Sequence, residues 1–321
     1  MPLCRFLLIG LALCFATSAQ AQGYPDRPIR LIAPFPAGGL ADVLARAVGD
    51  EMSKSLGQPV IVENRAGAGG NTGADAVAKS APDGYTLLMS SAGILTANQF
   101  LYAKMPFDAE TAFVPVSNVA SMSMLVVVNP KVEAKTLKEF VALAKAQPGK
   151  INFGSPGIGT TGHLGLAMLM HAAGVKITHV PYRGAAPAVT DLLAGQIDGV
   201  VDNPPTVIAH IQSGKLRPLA VAARERMALL PDVPTAAEQG VANYEASSWF
   251  GVAAPAGTPP AIVARLHQAI AAAVRTPAMQ ERFGKSGARL LGNSPQDFAA
   301  QIRAERASWG EIIKAANIAP Q

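Results

Sequence analysis

Three glycine-rich stretches hold the residues best suited to contact a ligand. Pro34-Phe35-Pro36-Ala37-Gly38-Gly39 separates an apolar strand pattern from an amphipathic helix pattern. The N–H groups of Ala37, Gly38 and Gly39, with Phe35 beside them, are expected to be free donors at the positive end of a helix dipole. Glycine lets ligand oxygens come close, so this is a cradle for an anion. Gly67-Ala68-Gly69-Gly70-Asn71-Thr72-Gly73 follows another strand and makes Asn71 a candidate contact. Ser90 and Ser91 end a third strand pattern, where ligands collect in α/β sheets. The densest stretch runs from Gly154 to His163. There Ser155, Thr160 and Thr161 add hydroxyls to the amide of Gly159, and His163 opens the helix behind. Tyr182 and Asp202 each end a later strand pattern. Each residue also has a plain structural alternative: Asp42 as a dipole partner in a first turn, Asp202-Asn203 as a capping pair, Arg183 as a surface ion-pair partner, His163 as a helix start.

A second chemistry competes for the middle loop. Gly157, Gly159 and Gly162 match G-x-G-x-x-G between a strand and a helix, the dinucleotide fingerprint. The acid expected about 20 residues later for a ribose is missing. The next strand ends Pro181-Tyr182-Arg183, and Asp191 falls inside a helix pattern. A nucleotide-dependent oxidoreductase, or a hydrolase using His163, therefore stands as the alternative to a binding protein. There is no G-x-S-x-G elbow and no H-E-x-x-H pair. Gly284-Lys285-Ser286 resembles the end of a phosphate loop, but Met279 occupies the position of its first glycine. The histidines, His163, His171, His179, His210 and His267, lack metal-ligand spacing. No catalytic residue, metal or cofactor is assigned.

The elements that must position these loops alternate. Ile29–Ala33, Val60–Val62 and Tyr85–Met89 read as strands; a helical stripe from Leu40 to Met52 ends at Gly57; Ala74–Lys79 is a short helix. The pattern repeats with Ile151–Phe153, a helix from His163 to Ala173, and Ile177–Val180. Such alternation means βαβ units: an α/β fold with mostly parallel sheets flanked by helices. Thr136 with Glu139 and Thr235 with Glu238 form capping boxes. Asn203-Pro204, Thr258-Pro259 and Ser294-Pro295 read as N-caps followed by proline. The last helix aligns Phe298, Ile302, Trp309 and Ile313 on one stripe. A chain of 321 residues suggests two domains. We expect one discontinuous domain, 22–123 plus 250–321, and a second from 124 to 249, with the apolar segments Met124–Val128 and Trp249–Ala253 crossing between them.

Residues 1–21 have the form of an export signal: Arg5, an apolar run from Phe6 to Phe15, and Ala19-Gln20-Ala21 for cleavage after Ala21. Both cysteines, Cys4 and Cys14, leave with it. The formal charge of +5 comes from scattered Lys and Arg, so no nucleic-acid stripe is present.

With these motifs in place, the chain resembles the periplasmic solute receptors of tripartite tricarboxylate transporters, the Bug family. The matching stretches are Tyr24-Pro25 with Arg27-Pro28-Ile29, Ala66 to Gly70, Pro82-Asp83-Gly84-Tyr85-Thr86-Leu87-Leu88, Gly154-Ser155-Pro156-Gly157 and His179-Val180-Pro181-Tyr182-Arg183-Gly184. Gly214-Lys215-Leu216-Arg217, Pro231 to Thr235, Trp249-Phe250-Gly251 and Ala254 to Pro259 extend the match over nearly the whole exported chain. The resemblance implies a two-lobed, class II periplasmic-binding-protein fold, monomeric, closing like a clamshell on a small organic acid or acidic amino acid. It also implies that backbone amides and water hold the carboxylate through Phe35–Gly39 and Ser155–His163, and that a membrane transporter of the tripartite tricarboxylate type is a partner. Ala66 and Leu40 depart from the proline and threonine frequent in the family, which bears on the polarity of the pocket.

Overall fold

The computed structural model describes residues 23–284, 287–315 and 320, so the expected export segment lies outside the described residues. Two sheets organise the chain. The first contains β1 (Ile29–Ala33), β2 (Val60–Asn64), β3 (Thr86–Ser91), β4 (Phe113–Ser123), β10 (Ser247–Pro255) and β11 (Arg289–Leu290), in the order β11-β4-β10-β3-β1-β2. The second contains β5 (Leu125–Val128), β6 (Asn152–Ser155), β7 (Thr178–Pro181), β8 (Gly199–Asp202) and β9 (Arg217–Val221), in the order β7-β6-β8-β5-β9.

The βαβ portions are parallel as expected: β1 pairs with β2 and β3, and β6 with β7 and β8. The remaining pairings, through β4, β5, β9, β10 and β11, are antiparallel, so both sheets are mixed rather than mostly parallel. The cause is the route of the chain. It leaves the first sheet after Ser123 and enters the second at Leu125, then returns at Ser247. These connections lack the crossover helix that a parallel neighbour needs. The two passages run side by side, where Met124 N–H donates to Ala246 C=O at 2.9 Å and Ala222 N–H to Met124 C=O at 2.9 Å.

Nine helices of eight residues or more flank the sheets among the described residues, besides the single turn Asn98–Leu101. The first six in chain order are α1 (Leu40–Leu56), α2 (Asn71–Ala78), α3 (Leu137–Ala146), α4 (Thr161–Ala173), α5 (Ala185–Leu193) and α6 (Pro204–Gln212). After them come α7 (Pro260–Ala273), α8 (Pro277–Gly284) and α9 (Pro295–Ala315). Gly57 ends α1 in the left-handed conformation, φ 70°, which glycine adopts without a Cβ clash. Thr136 caps α3 by accepting from Glu139 N–H at 3.1 Å, and Ser294 caps α9 by accepting from Asp297 N–H at 3.1 Å. The Thr235–Glu238 box closes in both directions, at 2.6 and 3.2 Å, although only a 3-10 turn follows it. Two expected caps take other partners. Asn203 makes no side-chain cap and its Oδ1 accepts from the Ser248 hydroxyl. Thr258 donates back to Pro255 C=O, leaving Pro259 as the cap of α7.

Each sheet has its own apolar core. A further cluster joins the two halves, packing Leu164 of α4, with Ile158 and Met168, against Leu101, Trp309 and Ile313 of the first half. Phe298, Ile302, Trp309 and Ile313 of α9 are buried as the stripe requires, and Glu305 accepts from Trp249 Nε1–H at 2.7 Å. Among the described residues no helix is long and apolar enough to cross a membrane.

Candidate functional site

The C-terminal ends of β1, β3, β6 and β8 face a common crevice between the sheets. Its main cavity measures about 570 Å³ and is walled by Phe35–Ala41, Ser91 and Phe250 from the first half. Thr160, Thr161, Arg183–Pro187 and Asp202 come from the second. A neighbouring cavity of about 760 Å³ lies between Ala66–Gly70 with Tyr102 and Pro156–Ile158 with Pro181–Gly184. The two share Phe35, Pro36, Pro156, Arg183 and Gly184, so they are chambers of one cleft. Their neck is narrow: a Cβ added to Gly184 would stand 3.6 Å from Pro36 Cγ.

Of the residues read from sequence, Phe35, Ala37, Gly38, Gly39, Ser91, Thr160, Thr161 and Asp202 line the main cavity. Tyr182 walls the second chamber, its hydroxyl donating to Asp191 at 2.8 Å. Burial, then Asp191, pushes that phenol up to about 12. Asn71, Ser90, Ser155, Gly159 and His163 face neither chamber. Asn71 pairs with the Asn98 amide at 2.7 Å, and Ser90 donates to Ser91 C=O at 3.2 Å. Ser155 Oγ lies 2.6 Å from His179 Nε2 and accepts from Gly157 N–H at 3.2 Å. Gly159, at φ 75°, sits where the two halves touch: a Cβ on Gly93 would collide with its carbonyl. His163 Nδ1 accepts from Gly159 N–H at 3.2 Å and its ring stacks on His179 at 4.2 Å. Burial lowers His163 to about 3, helped by His179, and lowers His179 to about 4. Two neutral imidazoles thus brace the middle loop from behind.

Hydrogen bonding relocates the free amides. Gly38 N–H donates to Asp42 Oδ2 at 2.9 Å and Gly39 N–H to Pro36 C=O at 3.3 Å, so neither is the free donor expected from sequence. Asp42 has its other oxygen on Asn64 Nδ2 and Arg46, both at 2.9 Å. Burial raises this carboxyl, but Arg46, Gly38 and Asn64 together hold it below the usual range. The first intrahelical bond of α1 is Val43 N–H to Gly39 C=O. Its open donors are therefore Leu40, Ala41 and Asp42, the first two on the cavity wall.

The middle loop behaves alike. Gly157, Gly159 and Thr160 amides are all bonded within the loop, and the first bond of α4 is Leu164 N–H to Thr160 C=O. The open first-turn donors begin at Thr161, on the opposite wall from Leu40 and Ala41. The first turn of α5, Ala185 and Ala186, joins them. The sequence tied Leu40 to the pocket only as a departure from the family's threonine, and Ala41 and these two alanines were passed over. The signal was the helix start itself, with Pro187, three residues after Gly184, inside a first turn where its missing N–H costs nothing.

Two side chains on the cavity stand out. Ser91 is 2% exposed, and its hydroxyl has no hydrogen-bond partner among the described residues. Asp202 is 3% exposed; Oδ1 accepts from Asn203 N–H at 2.7 Å, and burial pushes the carboxyl up to about 6. Arg183 and His210 are the basic residues on the wall. Among the described residues no group of His, Cys, Asp and Glu could hold a metal ion.

Residues 44–318 match the family model described as the tripartite tricarboxylate transporter family receptor. The chain is 41% identical over 300 residues to the protein BugT of Bordetella pertussis, covering 93% of this chain and 92% of that one. Among solved structures it is similar to the R. palustris protein Rpa4515 with adipate, at 37% identity and TM-score 0.88, covering 93% of this chain and 100% of that one. MatC from Rhodopseudomonas palustris with bound malate aligns at 32% identity and TM-score 0.85, covering 90% and 100%.

Proposed function

Because the chain belongs to the tripartite tricarboxylate transporter receptor family, it is a periplasmic solute-binding protein and not an enzyme, and we propose that it captures a small carboxylated metabolite between its two lobes. The lobes expected from sequence are residues 22–123 with 250–321, and 124–249, although β10 already joins the first sheet at Ser247. The observation that carries this is the facing of helix first turns: Leu40 and Ala41 from one lobe and Thr161 from the other meet in one cavity, with the unpartnered Ser91 hydroxyl beside them. A carboxylate placed there meets donors from both lobes and the positive ends of two dipoles.

The magnitudes are sufficient. Micromolar capture needs about 8 kcal/mol. One helix terminus contributes ~0.3–1 kcal/mol, and each charge-assisted hydrogen bond ~1.5–3 kcal/mol. Donors from a single lobe fall short; both lobes together, with bridging water, reach it. The ligand therefore favours the closed arrangement by contacting both halves. The adipate and malate of the R. palustris relatives make dicarboxylates the first class to try, with acidic amino acids next. Export with cleavage after Ala21, action as a monomer, and delivery to a membrane transporter complete the proposal.

A thermal-shift and calorimetric screen of adipate, malate, aspartate and glutamate against NAD tests it. At 100 times Kd the ligand should add about 2.7 kcal/mol to stability, with a smaller scattering radius than the free protein. No shift with any acid, or a shift with NAD alone, refutes it.

A further inference from the structure

On the reading that the main cavity holds an anionic solute, we propose that Asp202 meets that solute as a neutral carboxylic acid, so that capture of a dicarboxylate takes up one proton. Asp202 ends β8 on the cavity wall, almost wholly buried. Its oxygen Oδ1 has one short backbone donor, Asn203 N–H, and among the described residues no ion pair forms on the carboxyl. Thr206 is its other polar neighbour, and that hydroxyl also donates to Asn203 C=O at 2.6 Å.

The surrounding elements supply little compensating charge. On the flanking strands β5 and β6 no side chain is ionisable. Behind them α4 and β7 hold His163 and His179, both kept neutral by burial. Asp191 of α5 is turned to Tyr182. From α6 comes His210, and from the loop before α5 the exposed Arg183. Across the cleft, Asp42 is tied to Gly38, Arg46 and Asn64, and β10 contributes only Ser248 through Asn203.

Burial with so few donors disfavours the ionised carboxyl, which already titrates near 6. A ligand carboxylate in the same cavity adds like charge in a water-poor space, and one of the two groups must take a proton. The ligand end on helix amides is held ionised, because those donors stabilise its charge. Asp202 has the opposite environment, so the proton goes there. Its O–H then donates to a ligand oxygen, which the ionised form cannot do. The same preference selects against an ammonium at that end of the ligand, so dicarboxylates and hydroxy acids outrank amino acids.

The test is calorimetry of adipate and malate binding at about pH 7.5 in two buffers of different ionisation heat, together with Kd against pH. Uptake close to one proton is expected, and Asp202→Asn should abolish it. For a group titrating near pH 6, wild-type affinity should weaken about 50-fold from pH 6 to pH 8, whereas Asp202→Asn stays flat. Ligand ionisation is common to both proteins and cancels in the comparison. Zero uptake in the wild type, an Asp202→Asn variant that keeps the slope, or aspartate bound more tightly than either acid with proton release would overturn the proposal. Failure of adipate, malate, aspartate and glutamate alike to bind at any pH is a separate result, and it refutes the capture reading on which the proposal rests.

Discussion

Replacing Ser91 by alanine should stabilise the free protein and weaken the complex, two effects of opposite sign from one oxygen atom. The hydroxyl is buried at the end of β3 without a partner among the described residues. An unsatisfied buried polar group costs about 1–3 kcal/mol, and Ser91→Ala removes it while leaving only a void the size of one oxygen. A gain of about 1 kcal/mol corresponds to a Tm rise of about 2 °C for a chain of this length. In the complex the same hydroxyl donates to a carboxylate, a bond worth about 1.5–3 kcal/mol. Its loss should raise Kd about 10- to 150-fold. Scanning calorimetry of the free protein and titration with adipate or malate measure the two effects. Ser90→Ala is the internal control, since Ser90 already donates to Ser91 C=O and faces neither chamber; it should lower Tm slightly and leave Kd alone. A Ser91→Ala protein with lower Tm and unchanged Kd would mean that its hydroxyl serves the fold and not the ligand.

Two further outcomes follow from contacts between and behind the lobes. Tyr102 donates to Ile158 C=O across the cleft at 3.0 Å, so Tyr102→Phe should remove about 1 kcal/mol from the closed form and raise the ligand off-rate about 5-fold in stopped-flow displacement; an unchanged off-rate would remove that contact from the closure. His163 and His179 have folded pKa values of about 3 and about 4, below the ordinary 6.5. As pH falls from 6.5 towards 4 the unfolded chain therefore binds protons that the folded one refuses, and stability drops by up to about 1.4 kcal/mol per pH unit for each histidine. Urea unfolding at three pH values in that window reads the slope, and a flat profile would mean that the pair charges within the fold.

The alternation of strands and helices was visible in sequence because each element carries its own period and its own punctuation. Gly57 lies just past the end of α1 with positive φ, where sequence placed it. The antiparallel members of the sheets were not visible. Nothing local in Phe113–Ser123 or Ser247–Pro255 encodes strand direction; that depends on which sheet the chain has just left. Thr258 misled for a related reason, and so did the side chain of Asn203, although Asn203 holds the N-cap position of α6 with Pro204 after it. Both are good capping residues, but Asn203 found Ser248 on β10, a partner 45 positions away that no local pattern names.

The site was legible as loops and not as donors. An N-terminal helix turn offers its amides only after the chain's own acceptors have been served. At the first loop the acceptor is Asp42, four residues on, and Gly38 at φ 81° turns its N–H into that carboxylate. At the middle loop the acceptors are Ser155, His163 and the Gly157 carbonyl. Both loops thus use their glycines to satisfy themselves, which rigidifies them, and pass the ligand-facing task to the next turn of helix. Density of glycine marks where a cradle is anchored, while the open donors lie one to three residues downstream, at Leu40, Ala41 and Thr161. An anion held there needs no cation beside it. The acids Asp42 and Asp202 can therefore stand close to the cleft without repelling the ligand, the first because Arg46 and two amide donors neutralise its field, the second because it can take a proton.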